Sequence, residues 1–93
     1  MRVRCYADPG SGDPHYARHG LSLDDIVEVL ARPLEGRSGR EGASTVLGRT
    51  RAGKYIRVVY VVDSEPDSVF VITAYEIGVK TRKALLRRLG RGR

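Results

Sequence analysis

Cysteine is almost missing from this chain: Cys5 is the only one in 93 residues. A single thiol rules out an intramolecular disulfide and any metal cluster built on paired cysteines, and it suits a reducing cytoplasm, the expected location. Cys5 is also a poor nucleophile candidate, because no histidine or helix terminus is placed to lower its pKa. No apolar run approaches the ~18 residues of a membrane span, and the opening MRVRCYADPG lacks the apolar centre of a signal peptide. No membrane partner is therefore expected. There is no internal repeat, and low complexity is confined to the last four residues.

Positive charge, by contrast, is abundant. Seventeen Lys and Arg against eleven Asp and Glu give a formal charge of +6, which suggests a polyanionic partner. Its distribution is uneven. Residues 1–31 carry three basic and five acidic side chains, net −2, and residues 32–57 carry seven and two, net +5. Residues 58–79 carry none and four, net −4, and residues 80–93 carry seven and none, net +7. The middle basic block flanks the most strand-like stretch of the chain, whereas the terminal block also reads as a solvated helix face and tail.

The apolar fraction of 41% supports one folded domain over residues 1–93. Its centre is residues 54–62, KYIRVVYVV, and the partner stretch 69–77, VFVITAYEI, joined by DSEPDS. Both stretches are rich in β-branched and aromatic residues, and the linker is made of turn formers, so they predict an antiparallel hairpin. Alternation puts Ile56, Val58, Tyr60 and Val62 on one side and Tyr55, Arg57, Val59 and Val61 on the other. In the partner, Phe70, Ile72, Ala74 and Glu76 share a side, opposite Val69, Val71, Thr73, Tyr75 and Ile77. Tyr60 and Phe70 are expected in the core.

Residues 44–50 predict a further strand turning at Arg51-Ala52-Gly53, which completes a three-stranded meander. Residues 1–13 read as an N-terminal arm or edge strand. Asp13 before Pro14 predicts a short helix over 14–19, stopped by Gly20. Ser22 with Asp25 forms a variant capping box, and Leu23, Ile26, Val27 and Leu30 form one helical stripe that Pro33 ends. Residues 34–43 read as a polar, mobile loop. Residues 79–89 predict a final helix with Leu85, Leu86 and Leu89 opposite Lys80, Lys83 and Arg87, followed by a basic tail at 90–93. The expected fold class is α+β, an antiparallel three- to four-stranded sheet with helices packed on one face.

Taken in order, His15-Tyr-Ala-Arg-His-Gly-Leu-Ser22, the acidic amphipathic helix up to Pro33, Gly48-Arg-Thr50, residues 54–62 and Val71-Ile-Thr-Ala-Tyr75 carry a resemblance. The chain resembles the BrnT-like branch of the RelE-type toxins over roughly residues 15–83. Arg18-His19-Gly20 matches that group's basic-His-Gly element, Gly48 and Arg49 match the strand before the hairpin, and Thr73-Ala74 matches the small pair near the end of the last strand. Phe70 and Tyr75 stand where such toxins tend to place arginine. The resemblance implies a RelE/BrnT-like sheet, an endoribonuclease without metal or cofactor, and a DNA-binding antitoxin as partner, with a homodimer left open.

RNA cleavage of this kind needs a base for the 2′-hydroxyl proton, cations for the charge building on the phosphate, and an acid for the leaving oxygen. The catalytic candidates are His19, Arg57 and Tyr75. Histidine titrates near neutrality, an arginine grips phosphate bidentately, and Tyr75 or Tyr55 can stack on a base. Arg18, Arg49, Arg51, Lys54, Lys80 and Lys83 are the nucleic-acid-binding candidates. Plainer readings stand beside these: His19 as a helix-end residue bonding carbonyls, and Arg57 in a surface ion pair with Glu41 or Glu76. His15 and His19 share a helix face, but only Asp13 or Asp24 is at hand to complete a metal site, and none is expected. A non-catalytic module binding nucleic acid or protein through the basic blocks is the alternative function.

Overall fold

A run of β-branched residues with an arginine in its middle makes the central strand. A computed structural model describes residues 2–5, 9–12, 14–65 and 67–91, without the side chains of His15, Arg40 and Arg91. The strands are β1 (Arg2–Cys5), β2 (Glu35–Ser38), β3 (Ala43–Arg49), β4 (Tyr55–Val62) and β5 (Ser68–Glu76). The helices are α1 (Leu23–Ala31) and α2 (Val79–Arg91), preceded by a 3-10 helix at His15–His19. The sheet order is β1-β5-β4-β3-β2.

The meander β3-β4-β5 pairs antiparallel, as its turn chemistry predicts. Thr50 and Gly53 close the first turn: the Thr50 amide donates to the Lys54 carbonyl at 2.9 Å, and Gly53 takes φ +90°. The second turn is held by Ser68 Oγ donating to Asp63 Oδ2 at 2.7 Å. Two strands depart from expectation. β1 pairs parallel with β5, so the sheet is mixed. Residues 35–38, within the stretch read as a mobile loop, form β2, whose hairpin with β3 is fixed by Leu34 N–H donating to the Leu47 carbonyl at 2.8 Å. Its side chains are too polar to announce a strand, and it is recruited by backbone pairing with β3.

A bulge opposite Val59 and Tyr60 changes the face assignments on β5. Val59 pairs with Thr73 but Tyr60 pairs with Val71, so Ile72 is the extra residue. Val71 therefore joins Ala74 in the core, and Phe70 lies opposite Val61 rather than beside Ala74. Phe70 is half-buried beneath the Arg4 guanidinium instead of in the core. Tyr60 packs half-buried against the core on the other face.

The helices occupy both faces, not one. The box at the start of α1 is complete: Asp25 N–H donates to Ser22 Oγ at 3.2 Å, and Ser22 N–H donates to Asp25 Oδ2 at 3.0 Å. Ile26 and Val29 of α1, with Tyr16 and Leu21, bury against Val46, Ile56, Val58, Val71 and Ala74. On the opposite face Leu85 of α2 is fully buried with Leu47 and Ile77, and Tyr55 and Leu89 pack around them. The reason is that Leu47 and Ile77 leave an apolar patch on the second face large enough to hold one helix. The Asp13 cap and the end of the basic tail, 92–93, lie outside the described residues. Among the described residues no helix is long and apolar enough to cross a membrane.

Gly48 sets how closely α1 approaches the sheet. A Cβ there would stand 2.9 Å from Val29 Cγ1 and 3.3 Å from Val29 Cα, and the second of these is backbone. Gly48→Ala should therefore destabilise the domain by about 1–3 kcal/mol through overpacking. A thermal melt should show a fall in Tm of roughly 4–8 °C per kcal/mol; an unchanged Tm would mean that α1 is free to retreat.

Candidate nucleic-acid interface

Alternation along β4 sends Ile56 and Val58 into the α1 core and Tyr55 and Arg57 to the opposite face. Register then selects their neighbours. Arg57 lies between Leu47 of β3 and Tyr75 of β5, and Tyr55 lies beside Arg49. Arg57 Nη1 donates to the Tyr75 hydroxyl at 2.9 Å, and the guanidinium carbon is 5.7 Å from the centre of that ring. Arg57 Nε is buried and has no hydrogen-bond partner. Neither Glu41 nor Glu76 pairs with Arg57, so the surface ion pair considered from sequence is not formed.

His19 reaches this face from outside the sheet. Gly20, at φ +74°, ends the 3-10 helix by donating its N–H to the Ala17 and Tyr16 carbonyls, while the buried Tyr16 anchors the segment in the core. The exposed imidazole stands with its ring centre 6.3 Å from that of Tyr75, tilted by 60°. The three catalytic candidates are thus consecutive: imidazole, phenol, guanidinium.

A second group adjoins them. Arg49 and Arg82 place their guanidinium carbons 5.8 and 5.7 Å from the centre of the Tyr55 ring. That ring is already engaged by cations, so it is less an open stacking platform than a support for arginines. Arg82, in the first turn of α2, was not among the sequence candidates. Its spacing to Leu85 and Leu89, i, i+3 and i+7, puts it on the buried stripe, and that signal could have found it.

The other basic candidates are elsewhere or solvated. At the β3–β4 turn the Arg51 amide donates to Glu28 Oε2 at 2.7 Å, and Lys54 Nζ lies 3.7 Å from Asp25, which ties this turn to α1. Lys80 and Lys83 are exposed on α2, and Arg18 is exposed beside His19. A groove of about 660 Å³ between α1 and this turn includes Val27, Leu34 and Arg49, but Asp24 and Glu28 also line it, which disfavours a polyanion there. It contains none of the histidine–tyrosine row. Cys5 lies on the α1 face, and burial pushes its thiol pKa up, so it stays protonated and inert. Among the described residues no three His, Cys, Asp or Glu gather as metal ligands, and the His15 side chain is outside that description.

The cations separate by partner. Arg2, Arg4, Lys54 and Arg88 meet the carboxylates Glu65, Asp63, Asp25 and Glu35. Arg49, Arg57 and Arg82 meet tyrosines, and no carboxylate neutralises them among the described residues. An aromatic ring orders a guanidinium yet leaves its charge in place, whereas a carboxylate cancels it. The guanidinium charge on this face is therefore left without a carboxylate among the described residues.

Residues 15–76 match the family described as Domain of unknown function (DUF4258), and the chain belongs to it. The matched span holds His19, Arg49, Tyr55, Arg57 and Tyr75 and ends before α2. No curated protein matches the chain.

The position of Arg82 depends on how α2 is fastened. Arg88 donates to both oxygens of Glu35, at 2.7 and 2.8 Å, and this bond holds the Glu35 carboxyl below its ordinary 4.5. A depressed carboxyl stabilises the fold fully above its unfolded pKa, and that share is lost as pH falls through the folded value. Thermal melts from pH 6 downward should lose stability in the acid range below the ordinary glutamate pKa. Glu35→Gln should be less stable than the parent at pH 6 and should converge with it in acid; parallel curves would show that the pair does not hold α2.

Proposed function

We propose that this chain is a toxin-type endoribonuclease with a RelE/BrnT-like sheet, cleaving RNA without metal at His19, Arg57 and Tyr75. The observation that carries the proposal is the convergence of an exposed imidazole, a phenol and a guanidinium without a carboxylate partner on one half-open sheet face. In this reading His19 removes the 2′-hydroxyl proton, and the 2′-oxygen attacks phosphorus. Arg57 stabilises the charge gathering on the non-bridging oxygens. Tyr75 accepts a hydrogen bond from Arg57, so its own O–H remains to donate to the departing 5′-oxygen as the P–O5′ bond breaks. The products are a 2′,3′-cyclic phosphate and a 5′-hydroxyl. A cytoplasmic setting and a DNA-binding antitoxin go with the toxin reading, with a homodimer left open.

A second reading keeps the RNA and drops the chemistry. What favours it is Tyr75 itself: a tyrosine stands where the toxins tend to place arginine, and it occupies one of the nitrogens of Arg57. Phe70, at the other such position, supports Arg4 and supplies no charge.

Purified protein acting on a fluorescent RNA oligonucleotide separates the two. Cleavage should end in a cyclic phosphate and should cease when the nucleotide at the cut carries 2′-hydrogen. His19→Ala should lower kcat by about 10²–10⁴-fold, the usual contribution of a general acid or base. Arg57→Ala should lower it comparably, and inducible expression should arrest growth only with the parent sequence. Salt-sensitive binding without cleavage would leave the binding module.

A further inference from the structure

Arg49, Tyr55 and Arg82 lie one pleat away from the row assigned to cleavage, and three observations mark them as more than general basicity. First, two guanidinium carbons lie 5.8 and 5.7 Å from the centre of one ring with no carboxylate partner among the described residues, so their charge is left for an anion to compensate. Second, the residues come from three elements, β3, β4 and α2, and α2 is fastened independently by the buried Leu85 and by the Arg88–Glu35 pair. The guanidiniums are thus positioned before any ligand arrives, which reduces the ordering cost of binding. Third, Tyr55 and Arg57 are two residues apart on the same side of β4. A strand advances roughly 3.3 Å per residue, so the two groups are displaced by roughly 6–7 Å along it. That displacement is comparable with the step between consecutive phosphates of an extended single strand.

We infer that Arg49 and Arg82, ordered by Tyr55, form a second phosphate subsite, so that the protein engages two consecutive phosphates of a single-stranded RNA. Arg57 takes the phosphate at the cleavage position and the Arg49–Arg82 pair takes its neighbour. This inference rests on the reading of the face as an RNA site and adds the extent of the ligand. It also gives α2 a direct part in binding through Arg82, rather than through the exposed Lys80 and Lys83.

The test compares two sets of fluorescein-labelled dinucleotides carrying 2′-hydrogen at the internal linkage, with and without an additional terminal phosphate at either end. Binding is followed by anisotropy at low salt, so the readout does not require cleavage. The parent protein should bind the ligand with the added phosphate at one end about tenfold more tightly, the scale of one charge-assisted contact. Arg82→Ala and Arg49→Ala should each erase most of that advantage while leaving affinity for the shorter ligand nearly unchanged. Arg57→Ala should weaken both ligands together. Arg2→Ala, which removes equal charge beside Glu65, should preserve the advantage and so separates a subsite from net charge. Circular dichroism melts check that each variant folds, and Arg82→Lys, which keeps the charge but loses the fork, should recover only part of the effect.

If the parent binds both ligands but gains nothing from the added phosphate, or if Arg82→Ala keeps the gain, the second subsite is overturned and the RNA reading stands. If the gain is present but no RNA is cleaved, the subsite is supported and the nuclease reading falls. If neither ligand binds, the RNA reading fails and takes the subsite with it.

Discussion

A charged guanidinium in the middle of a sheet is the constraint around which this molecule is arranged. Arg57 is flanked by Leu47 and Tyr75, bonds to a phenol and leaves its Nε buried without a partner. Enclosing it fully would strand a charge in a low dielectric, which is costly unless the charge is paired. Leaving the whole face open would expose Leu47 and Ile77. The fold satisfies both demands by laying α2 over one end of the face, where Leu85 covers the apolar patch, and leaving the arginine and Tyr75 half-exposed at the other.

That compromise places most of the packing on the opposite face. There α1 and the anchored 3-10 helix bury a continuous core against β3, β4, β5 and the short parallel β1. Gly48 is a point of close approach, where the absence of a side chain lets Val29 rest on the strand. The same anchoring places the candidate site: Tyr16 is sunk in the core, and three residues later in the segment His19 emerges beside Tyr75. Stability and site are therefore built by the same strands, but by opposite sides of them.

Charge is sorted along the same division. Carboxylates tie down the periphery, at β1 through Asp63 and Glu65, at the β3–β4 turn through Asp25, and at α2 through Glu35. The sheet face uses tyrosines to hold its arginines. Net positive charge on its own has no location; this division leaves the guanidiniums without carboxylate partners, among the described residues, on the sheet face.

The meander, the first long helix and its capping box were legible in the residues, because β-branched runs, turn formers and an i, i+3, i+4 stripe are local signals. Even the pairing of Arg57 with the far side of β4 followed from alternation. β2 was not legible, since Glu35-Gly-Arg-Ser38 has no strand pattern of its own and pairs where β3 offers an edge. Nor was the bulge at Ile72, which moves Val71 into the core and Phe70 out of it, because an extra residue in a ladder depends on both strands.

The sequence by itself determined an α+β domain with a central hairpin, a basic middle and a histidine, arginine and tyrosine available for chemistry. Only the tertiary structure decided that α2 lies on the second face, that Arg82 joins Arg49 at Tyr55, and that His19, Tyr75 and Arg57 stand in one row. The physical reason is that local patterns fix which side of an element is apolar, whereas convergence depends on register and on which helix covers which patch. Those are properties of several segments packed at once.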